Sequence, residues 1–394
     1  MSRRPRRQNR TTITLEGWYF LGIMGFILAG ALLRHMNLLI LLFGLMLGPV
    51  YVNWRIVAHS LRKIRVSRSA PSSIVAGEKL VVDIKATNEG KRTSWAVRVD
   101  DKLASVSFNG VSLRPGVLFS RLSPDETLSE AYEGIVPARG RYALGPLKVT
   151  TRFPLGLVRR TVVHQVNDEI IVYPRIGQLT PAWKERLQST YHGSRPVKRQ
   201  QGLMEGDFHA LRDYRHGDAK RWIHWRTTAR RGMPMVRQFE RQRHHDLALL
   251  LNLWVPEGYT SADLECVELA VSFAATVVSD MCHRGQSQLL LGTAGANVAI
   301  TRGPASRGLF TETMEHLAAV SAGTGDNLAK LLSDALDQLP PHCDVVLVGT
   351  RGIDLSDSER FASIWQDSRK RGLLSKVLFI DASGPEIFRY YQVT

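Results

Sequence analysis

Two apolar runs, Gly17 to Leu33 and Met36 to Trp54, begin the hydrophobic pattern of this chain and are separated only by Arg34-His35. Each is near the lower limit of the roughly 17 to 25 residues that cross a bilayer as a helix. A cleaved leader fits less well, because the second run follows at once and no small-residue cleavage site divides the two. Trp18, Tyr19, Tyr51 and Trp54 stand at the outer ends, where interfacial aromatics belong. The pattern predicts a transmembrane helical hairpin with a very tight loop.

The period then changes to two. From Ile64 to Pro174 the apolar positions alternate, most plainly from Lys79 to Thr87, where Leu80, Val82, Ile84 and Ala86 share a face before the turn Asn88-Glu89-Gly90. Further β-rich runs at Trp95 to Val99, Glu130 to Val136, Arg141 to Thr151 and Asp168 to Tyr173, divided by Gly, Pro, Asn and Asp, predict an all-β sandwich of about a hundred residues. Pro181 to Lys198 reads as a short helix and linker, with Thr180 as its cap.

Past residue 244 strands and helices alternate. Asp246 to Leu253 is a continuous apolar strand, and Ala262 to His283 is a helix with Leu264, Val267, Val271, Ala274, Val278 and Met281 on one face and Gly285 as its stop. Strands at Ser287 to Gly292, Asp344 to Gly349 and Lys376 to Asp381, with helices at Leu309 to Ala319, Asn327 to Gln338 and Ser356 to Arg371, predict a doubly wound α/β fold with a mainly parallel sheet. The expected organisation is a basic tail (1–16), two transmembrane helices (17–55), a β-sandwich domain (62–175), a linker and signature segment (176–243) and an α/β domain (244–394).

Charge changes this picture in two places. The 394 residues carry a formal net charge of +16. Up to Arg65 there are ten Lys/Arg against one Asp/Glu, and from Arg195 to Arg243 there are 13 against 5, so the remainder is slightly acidic. A protein that coats nucleic acid along its length is therefore disfavoured. Arg3, Arg4, Arg6, Arg7 and Arg10 precede the hairpin and Arg55, Arg62, Lys63, Arg65 and Arg68 follow it, so positive-inside bias places both ends, and the large polar part, in the cytoplasm. The three cysteines, Cys266, Cys282 and Cys343, show no disulfide, metal or redox spacing.

The second basic region, Gly206 to Glu240, packs arginine, aspartate and tryptophan at high density. Gly217-Asp218 reads as a turn ending in a helix N-cap, Gly232 as the left-handed stop, and Ala219 to Arg231 between them as a helix of about three turns with Trp222, Trp225 and Ala229 on one side. Two readings compete. The arginines can pair with Asp207, Asp213 and Asp218 and stack on the aromatic rings as a structural clasp, or the surplus cations can form a site for an anion, an acidic partner or nucleic acid.

The order Gly206, Arg212, Tyr214, Gly217-Asp218, Arg221, Ile223, Trp225, Ala229-Arg230 resembles the signature of the bacterial "domain of unknown function 58" family, with every position of the pattern G-x5-R-x-Y-x2-G-D-x2-R-x-I-x-W-x3-A-R filled. The stretch Arg139 to Leu157 (RGRYALGPLKVTTRFPLGL) and the order of segments extend the likeness over most of the chain. The resemblance implies a membrane-associated protein with a von Willebrand factor A-like α/β domain, a MoxR-type AAA+ ATPase as partner, and a transglutaminase-like membrane protein in the same setting. It assigns no reaction.

A von Willebrand A domain with a working metal-ion-dependent adhesion site carries Asp-x-Ser-x-Ser after its first strand, because hard oxygen ligands must converge on Mg²⁺ at the carboxyl edge of the sheet. That place reads Asn252-Leu253-Trp254-Val255-Pro256, and the later strand end is Gly349-Thr350-Arg351, so the site is expected to be degenerate and to hold no metal. Ser321 to Asp326 lacks the Gly-Lys-Ser/Thr ending of a phosphate loop, and His209, His216, His224, His244 and His245 match no zinc spacing. No cofactor and no catalytic set is expected. The leading expectation is a non-enzymatic membrane-anchored scaffold or adaptor, with Arg226 and Arg231 joining the signature residues as a partner surface. The alternatives are an enzyme using Asp218 or Asp213 as base, and nucleic-acid or anionic-lipid binding through the same basic segment.

Overall fold

The computed structural model describes residues 8–34, 36–106, 112–189, 208–215, 218–239, 246–285, 287–340, 343–357 and 359–393. The chain divides after Ile176 into two compact units, with the short stretch Met314–Val320 grouped with the first.

The first unit runs β1 (Gln8–Ile13), α1 (Leu15–Arg34), α2 (Asn37–Ser60), then β2 (Ile64–Ser69), β3 (Ser73–Val75), β4 (Lys79–Asn88), β5 (Ser94–Asp100), β6 (Leu103–Ser105), β7 (Ser112–Leu113), β8 (Gly116–Leu122), β9 (Thr127–Ile135), β10 (Gly140–Leu144), β11 (Leu147–Thr151), β12 (Val158–His164) and β13 (Asp168–Tyr173). The two helices are long and apolar enough to cross a membrane, with a hydropathy of 1.6 each. At 1.5 Å per residue a 20-residue helix reaches about 30 Å, the thickness of a hydrocarbon core. Their apolar side chains point outward; Phe26 and Leu33 are each 83% exposed. The buried positions of α1 are Gly17, Met24 and Ala31, at seven-residue spacing, and Gly17 lies directly against the Leu157 carbonyl of the β unit.

Residues 8–13, expected within a tail, instead form an edge strand: β1 pairs antiparallel with β12, from Gln8 opposite Val163 to Ile13 opposite Val158. Alternation was hard to see in a segment rich in Arg, Asn and Thr. Because β1 enters α1 and β2 leaves α2, both ends of the hairpin are tied to the same β unit. Thr14 fixes the first end: its Oγ1 donates to the Gly156 and Leu157 carbonyls at 2.7 and 2.9 Å and accepts from Gly17 N–H at 3.1 Å. Asn53 fixes the second through its Oδ1, which accepts from Leu155 N–H at 3.1 Å.

Three sheets, β1-β12-β11-β5-β8, β3-β13-β10-β6-β7 and β2-β4-β9, share one core that includes Leu80, Val82, Ile84, Phe119, Tyr142 and Val149. Gly145-Pro146 splits the run expected at Arg141 to Thr151 into β10 and β11, which go to different sheets. Within this core Arg68 is fully buried and paired to Asp101 at 2.8 Å.

The second unit begins with β14 (Gln178–Leu179) and α3 (Pro181–Ser189), followed by β15 (Phe208–Asp213), α4 (Trp225–Arg231) and β16 (Met235–Phe239). Then come β17 (Leu247–Asn252), α5 (Ser261–Arg284), β18 (Gln288–Ala294), β19 (Val298–Pro304), α6 (Arg307–Ala319), α7 (Leu328–Gln338), β20 (Asp344–Gly349), α8 (Ala362–Trp365), α9 (Ser368–Leu374), β21 (Leu378–Asp381), α10 (Ile387–Tyr390) and β22 (Tyr391–Gln392). The sheet order is β19-β18-β17-β20-β21. β17 lies parallel to β18 and β20, and β20 to β21, while β19 is antiparallel to β18.

All six residues of β17 are buried. Ala248 and Leu250 join the cluster of α7, α8 and α9, so the alternate positions Leu249 and Leu251 face the other side of the sheet. The helix expected from Ser356 to Arg371 is broken between α8 and α9, where the Asp367 side chain caps α9 by accepting from Arg369 and Lys370 N–H. The stretch after Ile176 is more than linker. β14 pairs with β22 at the chain end, and Trp183, 1% exposed, packs edge-on to Phe273 and Tyr390 with centroids at 5.3 and 6.1 Å.

Candidate functional site

The signature is a β-hairpin with a helical excursion in place of a tight turn. β15 and β16 pair antiparallel, Leu211 opposite Arg237 and Asp213 opposite Met235. Between them lie a single 3-10 turn, Lys220–Trp222, and the seven-residue helix α4. The three-turn helix expected from Ala219 to Arg231 is thus corrected. Ile223 and His224 take non-helical dihedrals, His224 N–H donates to the Met235 carbonyl at 2.8 Å, and Ile223 bridges Val236. The pull of the β-hairpin on these two residues outweighs local helix propensity. The stop was legible: Gly232 has φ 71° and donates to Thr228 O at 2.9 Å.

Asp218, expected as the cap of that helix, does different work. Its two carboxylate oxygens each accept from the Arg212 guanidinium at 2.7 Å, a bidentate pair, and Oδ2 also accepts from Arg215 N–H at 2.9 Å. Hydrogen bonding to Asp218 raises the Arg212 pKa over a smaller opposing desolvation. The true cap of α4 is His224, whose Nδ1 accepts from Thr227 N–H at 3.3 Å, and Thr228 Oγ1 closes the far side by accepting from Met235 N–H at 3.0 Å. Sequence reasoning missed both, because histidine is not among the residue types that usually cap a helix.

Of the other signature residues, Tyr214 is half-buried and its N–H donates to the Pro234 carbonyl at 2.9 Å. Arg221, Arg226, Ala229, Arg230 and Arg231 are exposed. Trp225 is 68% exposed. Arg221 lies over the Trp222 ring at 5.1 Å. Met235 and Val236, each 3% exposed, anchor the hairpin instead. Gly206, Asp207 and Gly217 lie outside the described residues. The arrangement is a clamped hairpin that displays cations and one large aromatic ring.

The carboxyl edge of the α/β sheet is filled by protein. Asn252 is 5% exposed, and the Trp254 indole donates to Thr324 O at 2.8 Å. Arg351 covers the Trp254 ring at 5.4 Å and reaches Asp263 at 3.2 Å, while Thr350 Oγ1 donates to the Trp254 carbonyl. An indole and a guanidinium thus occupy the edge where oxygen ligands would have to converge.

Two helices long and apolar enough to cross a membrane leading into a β unit, followed by an α/β unit that carries a clamped arginine hairpin, define the class of protein by its architecture. Residues 210–350 match the family model described as "Protein of unknown function DUF58". It is similar to the uncharacterized protein YeaD of Bacillus subtilis (strain 168), 24% identical over 286 residues that span 71% of this chain and 68% of the relative. Among solved structures, the CARDB domain of PF1109 from Pyrococcus furiosus in complex with di-metal ions is 13% identical over 28% of this chain and 91% of that one, with a TM-score of 0.20. The C-terminal domain of wzt is 11% identical over 29% of this chain and 75% of that one, with a TM-score of 0.24. Likenesses this low bear on neither fold nor ligand.

Proposed function

We propose that this protein is a non-enzymatic, membrane-anchored scaffold whose α/β unit docks an acidic protein surface, that of a MoxR-type AAA+ ATPase, through the signature hairpin. One observation carries the reading: Arg221, Arg226, Arg230 and Arg231 stand exposed around an exposed Trp225 on a hairpin whose own clamp is already satisfied by Arg212 and Asp218. Exposed Arg with a Trp is the composition of interaction hot spots rather than of solvated surface. The enzymatic alternative needs a free base at Asp218 or Asp213; both oxygens of Asp218 are held by Arg212, which leaves it only Asp213, exposed at the end of β15.

The α/β unit is read as von Willebrand factor A-like, supported by its parallel sheet with one antiparallel edge strand, and the β unit as a sandwich. α1 and α2 are read as two passes through the bacterial inner membrane. Attachment of both hairpin ends to one β unit, together with the flanking arginines, supports a cytoplasmic location for the folded parts. A transglutaminase-like membrane protein is a further proposed neighbour.

The test is co-purification from mild-detergent membrane extracts of full-length parent and of the Arg226→Glu, Arg230→Glu, Arg231→Glu triple variant. Recovery of a MoxR-type ATPase with the parent, lost from the variant at equal expression, supports the reading. Equal recovery by both, or recovery by neither, rejects it.

A further inference from the structure

A second basic surface lies far from the signature in sequence, on the outward face of the β1-β12-β11-β5-β8 sheet. A groove of about 1550 Å³ runs along it, and its lining includes Arg10, Lys102, Arg114, Lys148, Arg152 and Arg159. Its acids are spoken for: Asp100 pairs with Arg98 at 2.7 Å, and Asp101 is turned to the buried Arg68. Arg159 has its Nε buried with no hydrogen-bond partner. On the opposite phase of the same strand Arg160, 8% exposed, also has an unpartnered buried Nε. Among the described residues no carboxylate pairs with it, and Arg62 repels it. Arg160 faces away from the groove, so it is Arg159, lining the groove with a buried unpartnered Nε, whose guanidinium calls for an anion from outside the protein.

The geometry fixes where the groove ends. Register places Thr12 opposite Arg159 and Ile13 opposite Val158, and one residue later the chain enters α1. That end of the sheet therefore sits at the base of the helical hairpin. There the loop after β11 exposes Phe153 at 39% and Leu155 at 52%, and Leu155 N–H is held by Asn53 of α2. Trp95, 41% exposed, stacks on Phe153 at 5.9 Å and is covered by Arg121 at 5.4 Å. Trp18 and Trp54, at the same end of the hairpin, are 62% and 56% exposed. Aromatic and apolar side chains rimmed by arginine at the end of a membrane helix form the pattern of an interfacial contact.

We propose that this face of the β unit binds the phosphate headgroups of anionic phospholipids in the bilayer that carries the hairpin, with Phe153, Leu155 and Trp95 seated at the lipid interface. The proposal rests on the reading of α1 and α2 as a membrane anchor. It differs from partner docking at the signature in site, in unit and in ligand. The occupant is lipid rather than an acidic protein because the groove is continuous with the helix base and its lower rim is apolar.

The test uses full-length protein in nanodiscs of equal phosphatidylcholine and phosphatidylglycerol, with the lipids retained after release counted by native mass spectrometry. The parent should retain phosphatidylglycerol over phosphatidylcholine by at least about fivefold, the contribution of one basic residue at an anionic leaflet. The Arg10→Glu, Arg114→Glu, Lys148→Glu variant, altered only at exposed residues, should fall to parity. The charge-retaining Arg10→Lys, Arg114→Lys, Lys148→Arg variant should keep the preference. No preference in the parent, or the same preference in the charge-reversed variant, overturns the proposal. So does a parent without that preference whose groove instead binds a polyglutamate probe, the result expected of an acidic protein ligand. Carbonate extraction separates the two readings: protein released from membranes by carbonate refutes the anchor and this site together, whereas protein that resists carbonate but shows no lipid preference refutes this site alone.

Discussion

Replacing Asp101 by alanine should unfold the β unit far more readily than replacing its neighbour Asp168. Asp101 is 3% exposed and accepts from Arg68 Nη1 on both oxygens at 2.8 and 2.9 Å, from Tyr132 OH at 2.8 Å and from Lys102 N–H at 2.8 Å. Burial, with the Asp101 charge adding to it, pushes the Tyr132 hydroxyl pKa far above its ordinary value, so it stays a donor. Without Asp101, Tyr132 loses its acceptor in the core, at about 1–3 kcal/mol. Arg68 keeps Asp168, whose side chain is 49% exposed, and the Leu144 and Val166 carbonyls at 3.2 and 3.4 Å, so the half-stranded guanidinium costs about 2 kcal/mol more, less than the roughly 3–5 kcal/mol of a buried pair broken outright. The sum is about 3–5 kcal/mol, or roughly two to four decades in the opening equilibrium at 1.36 kcal/mol per decade. Hydrogen exchange of β4, β5 and β13 in the full-length protein reads it directly. Asp168→Ala should cost about 1 kcal/mol or less, as exposed pairs do. If Asp101→Ala changes protection by less than tenfold, or if the two variants are equivalent, the buried network does not hold this unit together.

Three further outcomes are expected. Arg212→Ala and Asp218→Ala should each lower protection of residues 208–239 by about 1–2 kcal/mol, given a bidentate but partly exposed pair, while Trp225→Ala should change it by less than about 0.5 kcal/mol; equal losses would refute the clamp. Desolvation raises the Asp344 carboxyl to about 6, and its buried Oδ2 has no partner. The folded state thus holds a proton that the unfolded state releases, and stability falls as pH rises from about 4 to about 6. Asp344→Asn should therefore melt higher than the parent at pH 7.5, by about 1–2 kcal/mol after allowance for solvent screening, with the gain gone near pH 4; a gain that persists there would contradict the assignment. Gly17→Ala places a Cβ 2.2 Å from the Leu157 carbonyl oxygen, so the loop from Arg152 to Leu157 should become protease-sensitive, and an unchanged digestion pattern would show that the helix base is not docked there.

The elements that were plain in the sequence are those whose burial is periodic. Leu80, Val82, Ile84 and Ala86 declared β4 because only one of its faces is in the core, and β17 declared itself because both faces are. β1 was not legible, since an edge strand of Gln, Asn, Arg and Thr owes its place to backbone pairing with β12 rather than to buried side chains. β19 was missed for a related reason: as the antiparallel edge of the α/β sheet it is only partly buried along most of its length. In the signature, residue types gave the clamp and the stop at Gly232. They did not give the partners, because Asp218 is equally suited to a helix N-cap and to an arginine fork, and the choice is made by β15 bringing Arg212 alongside. The groove on the β unit draws its cations from β1, β11 and β12 and from connecting loops spread over some 150 residues of sequence, so only folding collects them.

The most direct test of the docking hairpin is site-specific photocrosslinking in intact cells with benzoylphenylalanine at Trp225, an exposed position outside the Arg212–Asp218 clamp. The expected result is a crosslink to an acidic surface of a MoxR-type AAA+ ATPase that disappears when Arg226, Arg230 and Arg231 are reversed to glutamate. A crosslink that persists in the reversed background, or no crosslink from this position while the same reagent at an exposed site elsewhere in the α/β unit captures the ATPase, would contradict it.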